Sequence, residues 1–293
     1  MKLYNFGSLN IDHVYDVTSH VKTGETILAK SYNVYIGGKG LNQSIAAAKA
    51  GAQVVHIGSI GPDGERLKQA LVDAGVDVSQ LIESDVPSGH ALIQVNDEGD
   101  NGIVVYGGSN MELSKSEIDA VFEFITTDDL VLLQNEISNV DYIVSKAYEK
   151  GIPVALNYSP ITESLKLIDL NHVSYLLVNE LEGLAAAQCE DESEVVKVLT
   201  EAYPNLSVVL TLGDKGAIYS KHGEESVIQE AFPVSVVDTT GAGDTFTGYF
   251  VASLVSKRSI KEALELSCRA SAIAIGKSGA SNSIPTLEEV LSL

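Results

Sequence analysis

In the run Asp238-Thr239-Thr240-Gly241-Ala242-Gly243-Asp244-Thr245-Phe246, two glycines lead into a carboxylate, and Phe246, Phe250 and Leu254 then recur at helical spacing. The pattern reads as a loop feeding a helix. Gly241 and Gly243 permit the tight backbone that points several amides at one spot, and the helix that follows adds its positive end, so an anion is stabilised there. A migrating phosphoryl group needs such a place. Asp244 falls in the first helical turn, where its carboxylate can orient an attacking hydroxyl and accept its proton. A carboxylate at a helix N-terminus is a weak base, but a loose transition state releases the nucleophile's proton late, and positioning then matters more than basicity. An isolated Asp here would be read as a helix stabiliser. The flanking glycines, Thr239, Thr240 and Asp238 favour chemistry.

Other segments supply groups of matching chemistry. Gly37-Gly38-Lys39-Gly40 precedes an alanine-rich helix and allows close backbone approach to a ligand beside a lysine. It is not a GxxxxGK[ST] loop, and no GxGxxG follows a strand, which weakens a dinucleotide-dependent oxidoreductase. Asn10 and Asp12 follow the first strand, where amide and carboxylate side chains suit a neutral polyol or simply cap a turn. Asn179 and Glu182, as N-x-x-E after a strand, have the oxygen chemistry for a hydrated Mg²⁺. Thr211-Leu212-Gly213-Asp214-Lys215-Gly216 is a turn. The six histidines are scattered without metal-ligand spacing, and Cys189 and Cys268 form no CxxC pair, so both read as reduced thiols.

Taken together, Asp238–Phe246 resembles the C-terminal signature of the ribokinase family, the phosphofructokinase-B class of carbohydrate kinases, and Gly37–Gln43 resembles its N-terminal one. The likeness spans nearly the whole chain. It implies that Asp244 is the catalytic base and that the amides of Gly241, Ala242 and Gly243 form the anion hole. It also implies that Asn10, Asp12, Gly38, Lys39, Asn42 and Glu136 contact the sugar, that Asn179, Thr211, Gly213 and Gly243 contact the nucleotide, and that Glu182 acts on Mg²⁺ through water. Asp238, Thr240, Ala274, Gly279 and Ser283 resemble the family's K⁺ loop. Asn157-Tyr158-Ser159-Pro160 departs from the Asn-Pro-Ala-Pro-like turn of many relatives, which leaves the local loop geometry open.

These residues need a scaffold, and the remaining pattern describes one. Apolar runs at Leu3–Ser8, Val54–Gly58, Leu130–Gln134, Val154–Asn157, Tyr175–Val178 and Val208–Thr211 alternate with helical patterns near Leu41–Ala50, Glu65–Ala74, Ser116–Phe124, Val140–Glu149 and Glu192–Ala202. Repeated βα units of this kind predict an α/β fold with a mostly parallel central sheet flanked by helices. Thr26–Ile36 and His90–Tyr106 break the rhythm with alternating polar and apolar residues, and Asp97–Gly102 supplies a turn. They predict small antiparallel strands, either surface hairpins or a lid that excludes water during transfer. The expected division is an α/β kinase body of residues 1–10, 37–87 and 110–293 with a β lid of 11–36 and 88–109.

Composition limits the partners. Against 40 Asp and Glu stand 19 Lys and Arg, a formal charge of −21 that repels nucleic acid and anionic membranes. Any ATP site must then rely on amides, a helix end, a divalent metal and a few lysines. The start of the chain lacks a signal-like segment, and a cytoplasmic enzyme is expected. The resulting expectation is an ATP- and Mg²⁺-dependent kinase, activated by K⁺, acting on the primary hydroxyl of a free sugar. Ribose comes first, and fructose, a deoxy-gluconate or a nucleoside remain open. The resemblance further implies a homodimer formed through the lid. A non-catalytic sugar-binding protein is the reading from a different class.

Overall fold

A computed structural model of the protein describes residues 1–293. The first half of the chain runs through β1 (Leu3–Phe6), β2 (Asn10–Asp16), β3 (Ser31–Gly37), α1 (Lys39–Lys49), β4 (Val54–Ile60), α2 (Glu65–Asp73), β5 (Asp77–Glu83), β6 (Gly89–Val95), β7 (Asn101–Tyr106), α3 (Lys115–Val121), β8 (Leu130–Gln134) and α4 (Val140–Glu149). The second half adds β9 (Val154–Asn157), β10 (Tyr175–Val178), α5 (Glu180–Ala187), α6 (Val195–Ala202), β11 (Ser207–Thr211), β12 (Ala217–Lys221), β13 (Val227–Gln229), α7 (Ala242–Val255), α8 (Ile260–Ile275) and α9 (Leu287–Leu291).

The large sheet has the order β13-β12-β11-β10-β9-β8-β1-β4-β5 and is parallel from β11 to β5, with β12 and β13 antiparallel at one edge. Its central strands are continuous apolar runs because both faces are covered by helices. Side chains of β1 alternate between the two cores: Leu3 joins the core under α1, α7 and α8, whereas Tyr4 and Phe6 join the one formed with α3, α4 and α6.

From β1 the chain moves outward to β4 and β5, then returns to place β8 on the other side of β1. The direction of winding therefore reverses between β1 and β8. In open α/β sheets ligands bind outside the carboxyl ends of the strands at such a switch point. Glu136, Asn157, Asn179 and Thr211 lie at or just beyond the carboxyl ends of these strands, and Asn10 and Asp12 follow β1 within β2.

The four strands β3-β2-β6-β7 form a separate small sheet. Each hairpin is antiparallel, and the two hairpins meet through a parallel pairing of β2 with β6. Within residues 26–36 the strand begins only at Ser31, and β2 supplies the partner that alternation there did not reveal.

Helices α1 and α7 lie side by side. An added Cβ on Gly248 would meet the Ala47 amide and the Gln43 carbonyl, both at 2.8 Å, so only glycine lets the two backbones approach this closely. That approach brings the ends of both glycine-rich motifs together. No helix is long and apolar enough to cross a membrane.

Candidate active site

Gly241 caps the start of α7 with φ 75°, a left-handed conformation that suits glycine. Behind it Asp238 ties the loop down: Oδ1 accepts from the Thr240 amide at 2.9 Å and hydroxyl at 2.7 Å, and Oδ2 accepts from the Gly279 amide at 2.9 Å. Burial alone would raise the Asp238 carboxyl, but these donors hold it below its ordinary value. The 238–240 loop is thereby joined to the 279–283 loop. Ser283 turns its hydroxyl onto the Ala280 carbonyl, and the Ala274 carbonyl accepts from the Lys277 amide. Ser271 of α8 donates to the Ala242 carbonyl at 2.9 Å and fixes the loop from a third direction.

Within the loop the Ala242 amide donates to the Thr239 carbonyl at 3.2 Å, whereas the amides of Gly241, Gly243 and Asp244 have no protein acceptor. Ala242 is engaged in closing its own turn, and the Asp244 amide takes its place among the free donors.

The Asp244 carboxylate is nearly buried and is gripped from α1 by two amides. Asn42 Nδ2 donates to Oδ2 and Gln43 Nε2 to Oδ1, both at 2.9 Å. Asn42 keeps its own Oδ1 buried without a partner, an acceptor to be satisfied by something outside the protein.

On the β1 side, Glu136 behaves as an N-terminal cap for α1, which has no acidic residue in its first turn and no side-chain cap of its own. Its Oε2 accepts from the Lys39 amide at 3.0 Å and from the Ser8 hydroxyl. Burial raises the Glu136 carboxyl, opposed by Lys39. Asp12 is pushed up to about 6 by burial and then by Glu136. Burial works against the Lys39 ammonium, yet Asp244, Glu136 and Glu182 together raise it. A single lysine thus stands among three carboxylates, a local answer to the acidic composition. Asn10 Oδ1 accepts from Asn110 Nδ2 at 2.7 Å, and Asn110 also brackets both backbone polar groups of Leu9.

Two cavities meet at the start of α7. A polar one of about 210 Å³ is lined by Lys39, Asn179, Glu182, Thr211, Gly243 and Asp244 among others. An apolar slot of about 600 Å³ runs beside Gly213, Phe232, Val234, Val236, Ala272 and Ile275. Thr211, Thr239, Ala242, Gly243 and Phe246 line both. A flat apolar base fits the slot, and its phosphates would then reach the free amides. A separate depression of about 740 Å³ between α6 and the β12 region takes in Leu212 and Lys215 of the 211–216 turn but neither Thr211 nor Gly213.

Asn179 and Glu182 form a capping box on α5, Glu182 N donating to Asn179 Oδ1 at 2.9 Å and Asn179 N to Glu182 Oε2 at 3.0 Å. Glu182 Oε1 has no protein donor, and Glu182 lines the polar cavity. No three His, Cys, Asp or Glu side chains gather into a metal cluster. One carboxylate facing a phosphate-sized polar cavity fits Mg²⁺, which prefers a carboxylate or two, phosphates and waters to an all-protein cage.

The structure therefore brings together Asp244, Lys39 and Glu182 around one cavity, with Asn42 behind them on Asp244, and Thr211 and Gly213 along the adjoining slot, while Asp12 and Glu136 flank the mouth of α1. Asp238, Thr240, Gly279 and Ser283 form a loop pair behind the site. The sequence reading missed Gln43, Asn110 and Asn157, the last accepting from Gln43 Nε2 at 3.1 Å.

Residues 2–287 match the pfkB family of carbohydrate kinases. The chain is 37% identical to a ribokinase of Haemophilus influenzae, over 97% of this chain and 95% of the relative. Among solved structures, it is similar to Cryptococcus neoformans ribokinase in complex with ADP, with a TM-score of 0.87 and 33% identity over 99% of each chain. It is also similar to Arabidopsis thaliana ribokinase complexed with ribose and ATP, with a TM-score of 0.88 and 29% identity over 99% of this chain and 97% of that one.

Proposed function

The chain belongs to the pfkB family of carbohydrate kinases, and from that membership we infer that it transfers the γ-phosphoryl group of ATP to the primary hydroxyl of a sugar, with D-ribose as the acceptor. The observation that carries this reading is the meeting of a base-sized apolar slot and a polar cavity at Gly243, one residue from a carboxylate held by two amides.

The sugar hydroxyl donates to Asp244 and is held in line with the terminal phosphorus. Its oxygen forms the new P–O bond as the bond from that phosphorus to the bridging oxygen of ADP breaks, and the hydroxyl proton passes to Asp244. The Gly241, Gly243 and Asp244 amides stabilise the charge on the equatorial oxygens, and Lys39 adds a full positive charge. Asn42 offers its unpaired Oδ1 to a second sugar hydroxyl. Glu182 and the nucleotide phosphates would hold Mg²⁺ through water, and the ion would neutralise developing phosphate charge. Asp238, Thr240, Ala274, Gly279 and Ser283 are assigned to a K⁺ site that steadies the 238–243 loop.

Residues 11–36 and 88–109 are assigned to a lid over the sugar. By strand alternation Asp12 shares a face with Ile103 and Val105, while Val104 and Tyr106 occupy the other, and all four of these β7 side chains are more than half exposed. Apolar side chains on both faces of one thin sheet support a lid that covers sugar on one side and a second copy on the other. Sedimentation should give twice the 31.1 kDa chain mass; a monomer at every concentration removes the dimer.

The test of the activity is ADP release across ribose, deoxyribose, fructose and nucleosides, in K⁺ and in Na⁺. Ribose should give the highest kcat/KM and K⁺ the higher rate. ADP release that no sugar or nucleoside stimulates overturns the assignment.

Sugar binding should also depend on pH. Asp12 is pushed up to about 6 and is the stronger acceptor for sugar hydroxyls when ionised, so the KM for ribose should rise as pH falls below 6, by at most about tenfold per pH unit. Folding favours the protonated form, so its stabilising contribution is full below the ordinary carboxylate range and is lost as pH rises through 6. Asp12→Asn should flatten the KM profile; an unchanged profile in that variant assigns the titration elsewhere.

A further inference from the structure

Neighbouring strands β1, β4 and β8 each place a polar side chain where their apolar runs should continue. Asn5, His56 and Gln134 have no exposed surface, and Asn5 and His56 are register partners. All three belong to one hydrogen-bonded group beneath α1. Polar groups buried this deeply are costly unless paired, and their pairing here has a direction.

The direction starts at Asp244. A carboxylate only accepts, so Gln43 must present its amide nitrogen, which donates to Asp244 Oδ1 at 2.9 Å and to Asn157 Oδ1 at 3.1 Å. Gln43 Oε1 then accepts from Gln134 Nε2 at 2.7 Å, and the same nitrogen donates to Asn5 Oδ1 at 3.0 Å. Asn5 Nδ2 donates to the Gly40 carbonyl and to Ser44 Oγ, both at 2.8 Å. Ser44 has one proton left to give, and His56 Nδ1 lies 2.8 Å away. His56 Nε2 is 3.2 Å from the Gly7 carbonyl, which can only accept, so the ring is the Nε2–H tautomer and Nδ1 is the acceptor. Burial lowers this imidazole to about 4, which keeps it neutral. Reversing any amide in the series would oppose two oxygens.

We propose that Gln43, its orientation fixed by Gln134, Asn5, Ser44 and His56, is the positioning residue that locks the rotamer of the Asp244 carboxylate for attack. Asn42 grips the other oxygen but also faces the sugar, and it is free to change partners. Gln43 has both amide protons and its oxygen committed within the protein, so its hold on Asp244 persists through the catalytic cycle. The proposal rests on the kinase reading above.

The test is Gln43→Met, which keeps the length and removes the donor. Its kcat should fall about twentyfold, the ratio expected for one lost hydrogen bond to a charged group, with KM for ribose and ATP within about twofold. In an Asp244→Asn background the same change should cost less than about twofold, because the carboxylate to be positioned is gone. An unchanged kcat, or an equal loss in both backgrounds, overturns the proposal and leaves Gln43 as packing. Should Gln43→Met fail to fold, Gln134→Met reads the same cycle one link away, with an expected fall of about threefold confined to the Asp244 background. If the parent protein forms no ribose-dependent ADP, the kinase reading fails by itself. The crystal structure of Gln43→Met then decides the inference: an Asp244 carboxylate rotated from its parental rotamer supports it, and an unmoved one overturns it.

Discussion

An Asp244→Asn enzyme is expected to turn over ribose about a thousandfold more slowly than the parent, within the range that general-base groups contribute, while its KM for the sugar stays within about threefold. The substitution is nearly isosteric. One oxygen remains to accept from Asn42 or Gln43, so α1 and α7 stay packed. What disappears is an anionic acceptor for the attacking hydroxyl, which matters as the proton leaves and hardly before. Expected together, a collapse of kcat and a steady KM distinguish a catalytic carboxylate from one that only binds. Near-parental turnover would remove Asp244 from the reaction, and a rise in KM alone would reduce it to a sugar contact.

For Gly243→Ala, kcat/KM for ATP should fall about a hundredfold while the melting temperature holds or rises. An added Cβ on Gly243 meets no protein atom within 4 Å, and alanine is the better helix former by about 1 kcal/mol in a helix interior. On stability grounds the glycine is therefore unnecessary. It lies where the two cavities join and its amide has no protein acceptor. The methyl group would occupy the space through which the terminal phosphate passes, and displacing a reacting group by about 1 Å can cost a hundredfold in rate. Parental kinetics in a correctly folded variant would show that phosphate does not pass Gly243.

The parts of this site that were legible in the sequence are the local ones. A glycine-rich loop entering a helix is written in consecutive residues, so Gly241–Asp244 and Gly37–Asn42 could be read without knowing what they face. Strands β8, β9 and β10 coincide with their expected ranges because, buried on both sides, they are apolar runs broken only by the last residue of β8 and of β9. Elements at the edges were not legible: β5 is half polar, and β12 and β13 form a short antiparallel addition beyond the βα rhythm.

Gln43 escaped for a geometric reason. It adjoins Asn42, and adjacent helical residues point about 100° apart, so sequence logic does not expect both to meet one carboxylate. They do so because Asp244 enters between them from α7, at the close approach that Gly248 allows. Asn110 holds Asn10 across 100 positions of chain, which no spacing rule reaches. Asn179 and Glu182 show the opposite case: their spacing was visible, but its first meaning is the capping box of α5, and only the position of Glu182 on the polar cavity connects it with phosphate chemistry.

The most direct measurement is a co-crystal structure with ribose and a non-hydrolysable ATP analogue. It should place the base in the slot beside Phe232 and Val234, the terminal phosphate on the Gly241, Gly243 and Asp244 amides, and the primary hydroxyl of ribose within hydrogen-bond reach of Asp244. A nucleotide seated instead in the groove between α6 and β12, or a sugar hydroxyl turned away from Asp244, would contradict the account.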